Sequence, residues 1–306
     1  MFWRHVMANL KKSEREEYVD AFIDDEVMDE KAERTYTKYK RVCQRFIDFF
    51  SEEEITKRDL IAYKHMLIEK YSIKTINNYL IIVNKFIKYV ELSVTEPGFK
   101  REAIRKYISP NTLKLEKEQE KRSVDNVLEP NEFKRMERMA KKKNMMRIYY
   151  VMKIIAYTGI RIGELKYFTV ENLRDRAGVI TVRNKGKTRE IPVRGDIKRE
   201  LLRYAKENGV ETGPIFQGSG DGGRVDDDVV RRELKKVAGC CRGIDMSKVH
   251  PHSLRHMFGQ KWVEENGQAS LSELASIMGH SNVNTTAIYT QTTKQEKKRK
   301  LEKMKY

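Results

Sequence analysis

Between Tyr36 and Phe50 the apolar residues recur at Tyr36, Tyr39, Cys43, Phe46, Ile47 and Phe50, the three-and-four spacing of one helical face. A second helix is expected after Thr56, because Thr56-Lys57-Arg58-Asp59 has the form of a capping box with Asp in place of Glu. A third is expected from about Lys74 to Glu91, with Ile76, Tyr79, Leu80, Val83, Phe86, Ile87 and Val90 on one stripe. Residues 1–30 carry the acidic run Asp24-Asp25-Glu26 and few periodic apolar positions, so they read as a loosely held lead-in with one short helix at most. The pattern therefore predicts a wholly helical first domain over 31–108.

Pro97-Gly98 interrupts that pattern, and the stretch from Ser109-Pro110 to Arg122 is charged and poor in apolar residues. Such a composition predicts a linker, drawn at 109–126. Helical character resumes after Glu129-Pro130-Asn131, and Met145 to Tyr157 is apolar nearly all round, as a buried helix is. Gly178 to Arg183, the turn Asn184-Lys185-Gly186-Lys187 and Thr188 to Val193 read as a β-hairpin. Helices are expected near 196–208, 226–239, 252–266, 271–278 and 283–291. The second domain is drawn at 127–291 and a lysine-rich tail at 292–306. The fold class is mainly α with a small antiparallel β-sheet.

With 306 residues the chain has length enough for two domains that each bury a core. A formal net charge of +17 and a pI near 9.6 call for a polyanionic partner. Charge alone leaves DNA, RNA and an anionic membrane surface open. There is no run of eighteen apolar residues and no signal-peptide core, so the reading is cytoplasmic with no membrane partner. Cys43, Cys240 and Cys241 give no disulfide framework, and no Cys-x-x-Cys or His-x₃-His pair suggests a metal site. Neither metal nor cofactor is expected.

The candidate chemistry lies in the last half of the chain. Four of the six histidines, His250, His252, His256 and His280, fall in one stretch. His252-Ser-Leu-Arg255 sets a histidine and an arginine at helical spacing, and Met278-Gly279-His280 precedes Tyr289 by nine residues at the histidine. Arg161 lies in Thr158-Gly-Ile-Arg-Ile-Gly-Glu-Leu165. Cleaving a phosphodiester without metal takes a nucleophile, an acid for the leaving oxygen and fixed positive charge for the developing phosphorane. An isolated arginine in so basic a chain is ordinarily a surface or backbone contact. Arginine also suits a phosphate because its planar fork gives two parallel hydrogen bonds and stays charged.

Taken together these boxes resemble the tyrosine recombinases, or phage integrases. The resemblance runs box by box over 127–291 and more loosely, as a helical pattern, over 34–91. It implies a helical, SAM-like core-binding domain followed by a mixed α/β catalytic domain. It also implies a catalytic set of Arg161, Lys185, His252, Arg255, His280 and Tyr289. In that set Arg161 and Arg255 hold the phosphate, Glu164 buttresses Arg161, His252 moves a proton, His280 bonds the phosphate and Tyr289 attacks it. Lys185 matches the acid for the 5′-oxygen best, and Lys187, two residues along the same turn, remains its rival. His250 and His256 read as structural, His256 with a share in orienting its neighbours. Met278 stands where leucine is usual, a conservative core exchange.

The implied activity is site-specific DNA recombination through a 3′-phosphotyrosyl intermediate. The implied partners are double-stranded DNA and a homotetramer on synapsed sites, with accessory DNA-bending proteins left open. Two alternatives stand beside it: strand relaxation like that of a type IB topoisomerase, and a catalytically silent DNA-binding regulator.

Overall fold

The computed structural model describes residues 12–50, 55–117, 127–184, 187–218, 223–280, 285–290 and 302. The chain splits into two compact units, 1–120 and 121–306. Among the described residues no helix is long and apolar enough to cross a membrane.

The first unit is helical: α1 Lys12–Met28, α2 Glu33–Asp48, α3 Lys57–Lys70, α4 Ile73–Thr95 and the short α5 Glu102–Lys106. The Thr56 box forms as its spacing predicts, Thr56 Oγ1 accepting from the Asp59 amide and Asp59 accepting from that of Thr56 at 2.8 Å. Phe22, Phe46, Tyr63, Leu67, Leu80 and Phe86 fill the core, and the Phe46 ring meets Tyr63 edge-on at 5.0 Å.

Two sequence expectations need correction here. Residues 12–28 are a seventeen-residue helix rather than a loose lead-in, with Val19, Phe22 and Ile23 buried in the core. The stripe was faint because its next inward position is Glu26, fully buried and neutralised by Lys85 at 2.5 Å and Arg101 at 2.6 Å.

The first half of the expected linker, 109–117, is likewise no free tether. Asn84 donates to the Leu113 carbonyl and accepts from its amide, both at 2.8 Å. Asn77 does the same for Glu116 at 2.9 and 2.8 Å. Two helical turns between the asparagines, about 10 Å, match three extended residues, also about 10 Å. The strand thus runs down α4 against its direction, and side-chain amides satisfy backbone groups that have no helix or sheet of their own.

The second unit comprises α6 Pro130–Lys142, α7 Met146–Thr158, a 3-10 turn Ile162–Tyr167, α8 Val170–Arg174, strands β1 Val179–Asn184 and β2 Lys187–Pro192, α9 Gly195–Glu207, α10 Asp227–Gly239, α11 Pro251–Asn266 and α12 Leu271–Met278. The strands pair antiparallel, Val179 opposite Pro192 and Asn184 opposite Lys187. Buried α7, with Ile148, Val151, Met152, Ile154 and Ile155 inside, packs on α11 at the centre. Where a helix was expected over 283–291, the described residues form only a 3-10 turn, Ala287–Thr290.

Candidate functional site

Two helices end in left-handed glycines, and the site is built on those ends. Gly159 (φ 64°) closes α7 and Gly279 (φ 66°) closes α12. A side chain at either position would be strained by its backbone and would also collide, at 159 with the Phe258 ring and at 279 with Arg189 Nη1 at 2.8 Å. Past Gly279 the chain turns sharply, and the His280 amide bonds back to the Ala275 carbonyl at 2.9 Å.

A helix C-terminus leaves carbonyls without intrahelical donors. Three arginines from three different elements take those of α12. Arg189 Nε donates to Ile277 at 2.9 Å, Arg255 Nη2 to Met278 at 2.6 Å and Arg161 Nη2 to Gly279 at 3.0 Å. Arg255 also donates through Nη1 to the Gly159 carbonyl and so joins both helix ends. It is 1% exposed, and its buried Nε meets no hydrogen-bond acceptor among the described residues. Burial first, then the like charge of Arg161, pull its guanidinium down to about 10, which leaves it charged at neutral pH. The Arg161 side chain is more open, 37% exposed.

Glu164 is the carboxylate of the group, 3% exposed. It accepts both fork nitrogens of Arg189, at 2.9 and 2.6 Å, the Arg161 amide at 2.8 Å and a longer contact from Arg161 Nη1 at 3.3 Å. Burial alone would raise its pKa, but the Arg189 fork and the Arg161 amide bring it below the ordinary glutamate value.

His280 lies between Arg255 and Thr286. Arg255 Nη2 approaches His280 Nε2 at 2.9 Å, and His280 Nδ1 lies 2.9 Å from Thr286 Oγ1. A guanidinium can only donate, so Nε2 carries the lone pair and Nδ1 the proton that goes to Thr286. Burial, then Arg255 and Arg161, lower the imidazole to about 4, so it is neutral at physiological pH. Tyr289 is 5% exposed, its ring stacked on His280 at 6.3 Å and tilted against His256 at 5.3 Å. The ring lies on Gly259 of α11, where a Cβ would come within 2.8 Å of it. Burial pushes the phenol up to about 12 against the pull of Arg255 and Arg161.

Of the six residues singled out in the sequence, Arg161, Arg255, His280 and Tyr289 come together around the end of α12. His252 sits exposed on α11, its ring 4.6 Å from that of His256 and so one ring removed from Tyr289. Lys185 lies outside the described residues, while its rival Lys187 opens β2 in register with Asn184. His250 caps α11, its Nδ1 accepting from the Ser253 amide at 3.0 Å, a structural task. His256 carries a buried Nδ1 that finds no partner among the described residues, and burial followed by the charge of His252 lowers it to about 4.

Sequence reasoning missed Arg189 and Thr286. Arg189 had a legible signal, because it shares the inward face of β2 with Ile191, two residues on, where a lone arginine must find a partner.

The family model described as "Phage integrase family" matches residues 126–296, and that described as "Phage integrase, N-terminal SAM-like domain" matches 18–91. Tyrosine recombinase XerC of Thermodesulfovibrio yellowstonii is 33% identical over 150 residues, 46% of this chain and 48% of that protein, so the chain spans about half the length of that relative. Tyrosine recombinase XerA of Pyrococcus furiosus is 25% identical over 300 residues, 96% of each chain. Among solved structures, a lambda integrase dimer bound to a COC' core site has the same fold, with a TM-score of 0.66 at 15% identity over 90% of this chain and 94% of that one. With the first of these family models covering more than half of its length, the chain belongs to the phage integrase family.

Proposed function

We propose that this protein is a site-specific tyrosine recombinase that cuts and rejoins double-stranded DNA through a 3′-phosphotyrosyl intermediate. The observation that carries the reading is the convergence of Arg161, Arg255 and neutral His280 on the ring of a buried tyrosine, Tyr289. Arg161 and Arg255 hold the non-bridging oxygens through their guanidinium forks. Tyr289 Oη attacks phosphorus, the bond to the 5′-oxygen breaks, and that oxygen leaves as a hydroxyl. A phenol held near 12 is almost fully protonated at neutral pH, so its proton must pass to a base as the new bond forms, and we assign that role to the exposed His252, whose ring lies across His256 from Tyr289. Lys185 supplies the proton to the leaving oxygen. One phosphoester replaces another, so the free hydroxyl of a partner strand can reverse the step without an energy source.

In this reading the first unit, with α1 and the 109–117 strap, is the core-binding domain, 127–291 is catalytic and 292–306 is the tail. The net charge of +17 supports a DNA partner held through phosphates. We assign the working form as a cytoplasmic homotetramer on synapsed sites. Tyr289→Phe tests the reading: it should abolish covalent adducts with nicked duplexes bearing the chain's site and leave gel-shift affinity unchanged. Adducts that persist in this variant would show that another nucleophile does the work.

A further inference from the structure

Arg189 has no part in the proposed reaction, yet it makes the strongest ion pair in the site. Its guanidinium, 12% exposed, spends both fork nitrogens on Glu164 and its Nε on the last turn of α12. The fork alone satisfies both carboxylate oxygens. The guanidinium of Arg161, three residues before Glu164, keeps only the 3.3 Å edge contact and points its other end at the Gly279 carbonyl. Were Arg189 absent, a carboxylate 3% exposed would be left short of one positive partner, and Arg161 is the next cation within reach. It would close on Glu164 as a fork and turn away from the open side of the site.

We propose that Arg189 is a positioning residue: by occupying Glu164 and gripping the end of α12, it keeps Arg161 available to the phosphate and ties the hairpin strand to the two elements that carry Arg161 and His280. The inference rests on the recombinase reading for the identity of the oxyanion. The glycine at 279 belongs to the same device, since a Cβ there would stand 2.8 Å from Arg189 Nη1. Lysine cannot replace the fork, because a single ammonium reaches Glu164 or Ile277 but does not span both oxygens in parallel.

The test compares wild type with Arg189→Lys, Arg189→Gln and the double variant Arg189→Gln/Glu164→Gln. It reads thermal midpoint, the rate of covalent adduct formation at saturating DNA, and calorimetric binding of inorganic tungstate. Arg189→Lys should stay folded and bind DNA like wild type, with adduct formation slowed on the order of 10²-fold, the scale of an ångström misplacement. Its tungstate binding should weaken several-fold. The double variant should form adducts and bind tungstate better than Arg189→Gln, since a neutral amide no longer draws Arg161 away.

The proposal is overturned if folded Arg189→Lys matches wild type in both readouts, or if every loss follows the thermal midpoint and lysine restores it fully. Adducts from wild type with no effect of the variants would sink the positioning role alone. Tungstate binding that splits as expected, without adducts from wild type, would sink the recombinase reading and leave the positioning role standing. A wild-type protein that neither binds tungstate nor forms adducts would overturn both.

Discussion

Acid should loosen the catalytic unit before it reaches the carboxylates, because two imidazoles sit neutral in the site. His256 and His280 are both lowered from 6.5 to about 4, each first by burial. Next come the charges facing them: His252, Arg255, His250 and His280 for the former, and Arg255, Arg161, His252 and Arg189 for the latter. A group whose folded pKa is depressed contributes stability that is present above its unfolded value and is lost as pH falls toward the folded one. The window therefore opens at 6.5 and runs down to 4. Between pH 7 and 5 each histidine would cost about 2 kcal/mol by linkage. Neither is fully enclosed, so solvent screening brings that to about 1 kcal/mol each, or roughly 2 for the pair.

The loss has a structural meaning as well. Protonated His280 can no longer accept from Arg255, and two cations then face each other at the end of α12. The assay is urea unfolding at pH 7, 6 and 5, followed by the fluorescence of Trp262, which packs on Phe258 in the layer beside Tyr289. Wild type should lose about 2 kcal/mol more over that range than His256→Gln/His280→Gln, with His256→Gln between them. Some slope will remain in the double variant, because burial and Lys235 also lower His250. Parallel stability curves for wild type and the double variant would refute the neutral-imidazole argument.

Two further outcomes are expected. Lys185→Ala should slow cleavage strongly on an ordinary phosphodiester and far less on a 5′-bridging sulfur substrate, whose thiolate leaves without a proton; rescue of Lys187→Ala in its place would move the acid to that residue. Asn84→Ala removes both bonds to Leu113 and should destabilise the first unit by about 2 kcal/mol, at roughly 1 kcal/mol per bond. Chemical unfolding of the variant checks this, and a change below about 0.5 kcal/mol would mean that 109–117 holds to α4 by other contacts.

What could be read from the sequence was whatever is local to it. The capping box at Thr56, the largely apolar α7 and the β-hairpin depend on residues a few positions apart, and they formed where the pattern put them. The boxes around Arg161, Arg255, His280 and Tyr289 were visible for the same reason. The helix α1 was hidden because a carboxylate occupies one of its core positions, and Lys85 and Arg101, which make that tolerable, lie 59 and 75 residues away. The strap at 109–117 was hidden because its partners are asparagine amides, which leave no hydrophobic signal.

The means by which the arginines are held was also beyond the sequence, and it matters most for the chemistry. A guanidinium can be fixed by carboxylates or by carbonyls, and the two differ in what charge survives. Arg161 and Arg255 are pinned chiefly by the carbonyls of Gly159, Met278 and Gly279, which orient without neutralising, while Arg189 adds the Ile277 carbonyl to its fork on Glu164. Glu164 is the carboxylate that Arg161 and Arg189 share, and His256 and His280 are uncharged at neutral pH. Three guanidiniums against one carboxylate leave a net of two positive charges beside Tyr289. A pentacovalent phosphorane carries close to that charge with the opposite sign, and a site whose dipoles are already aimed need not reorganise when it forms. The helix ends thus do the holding, and the charge they leave unspent is what the proposed reaction would use.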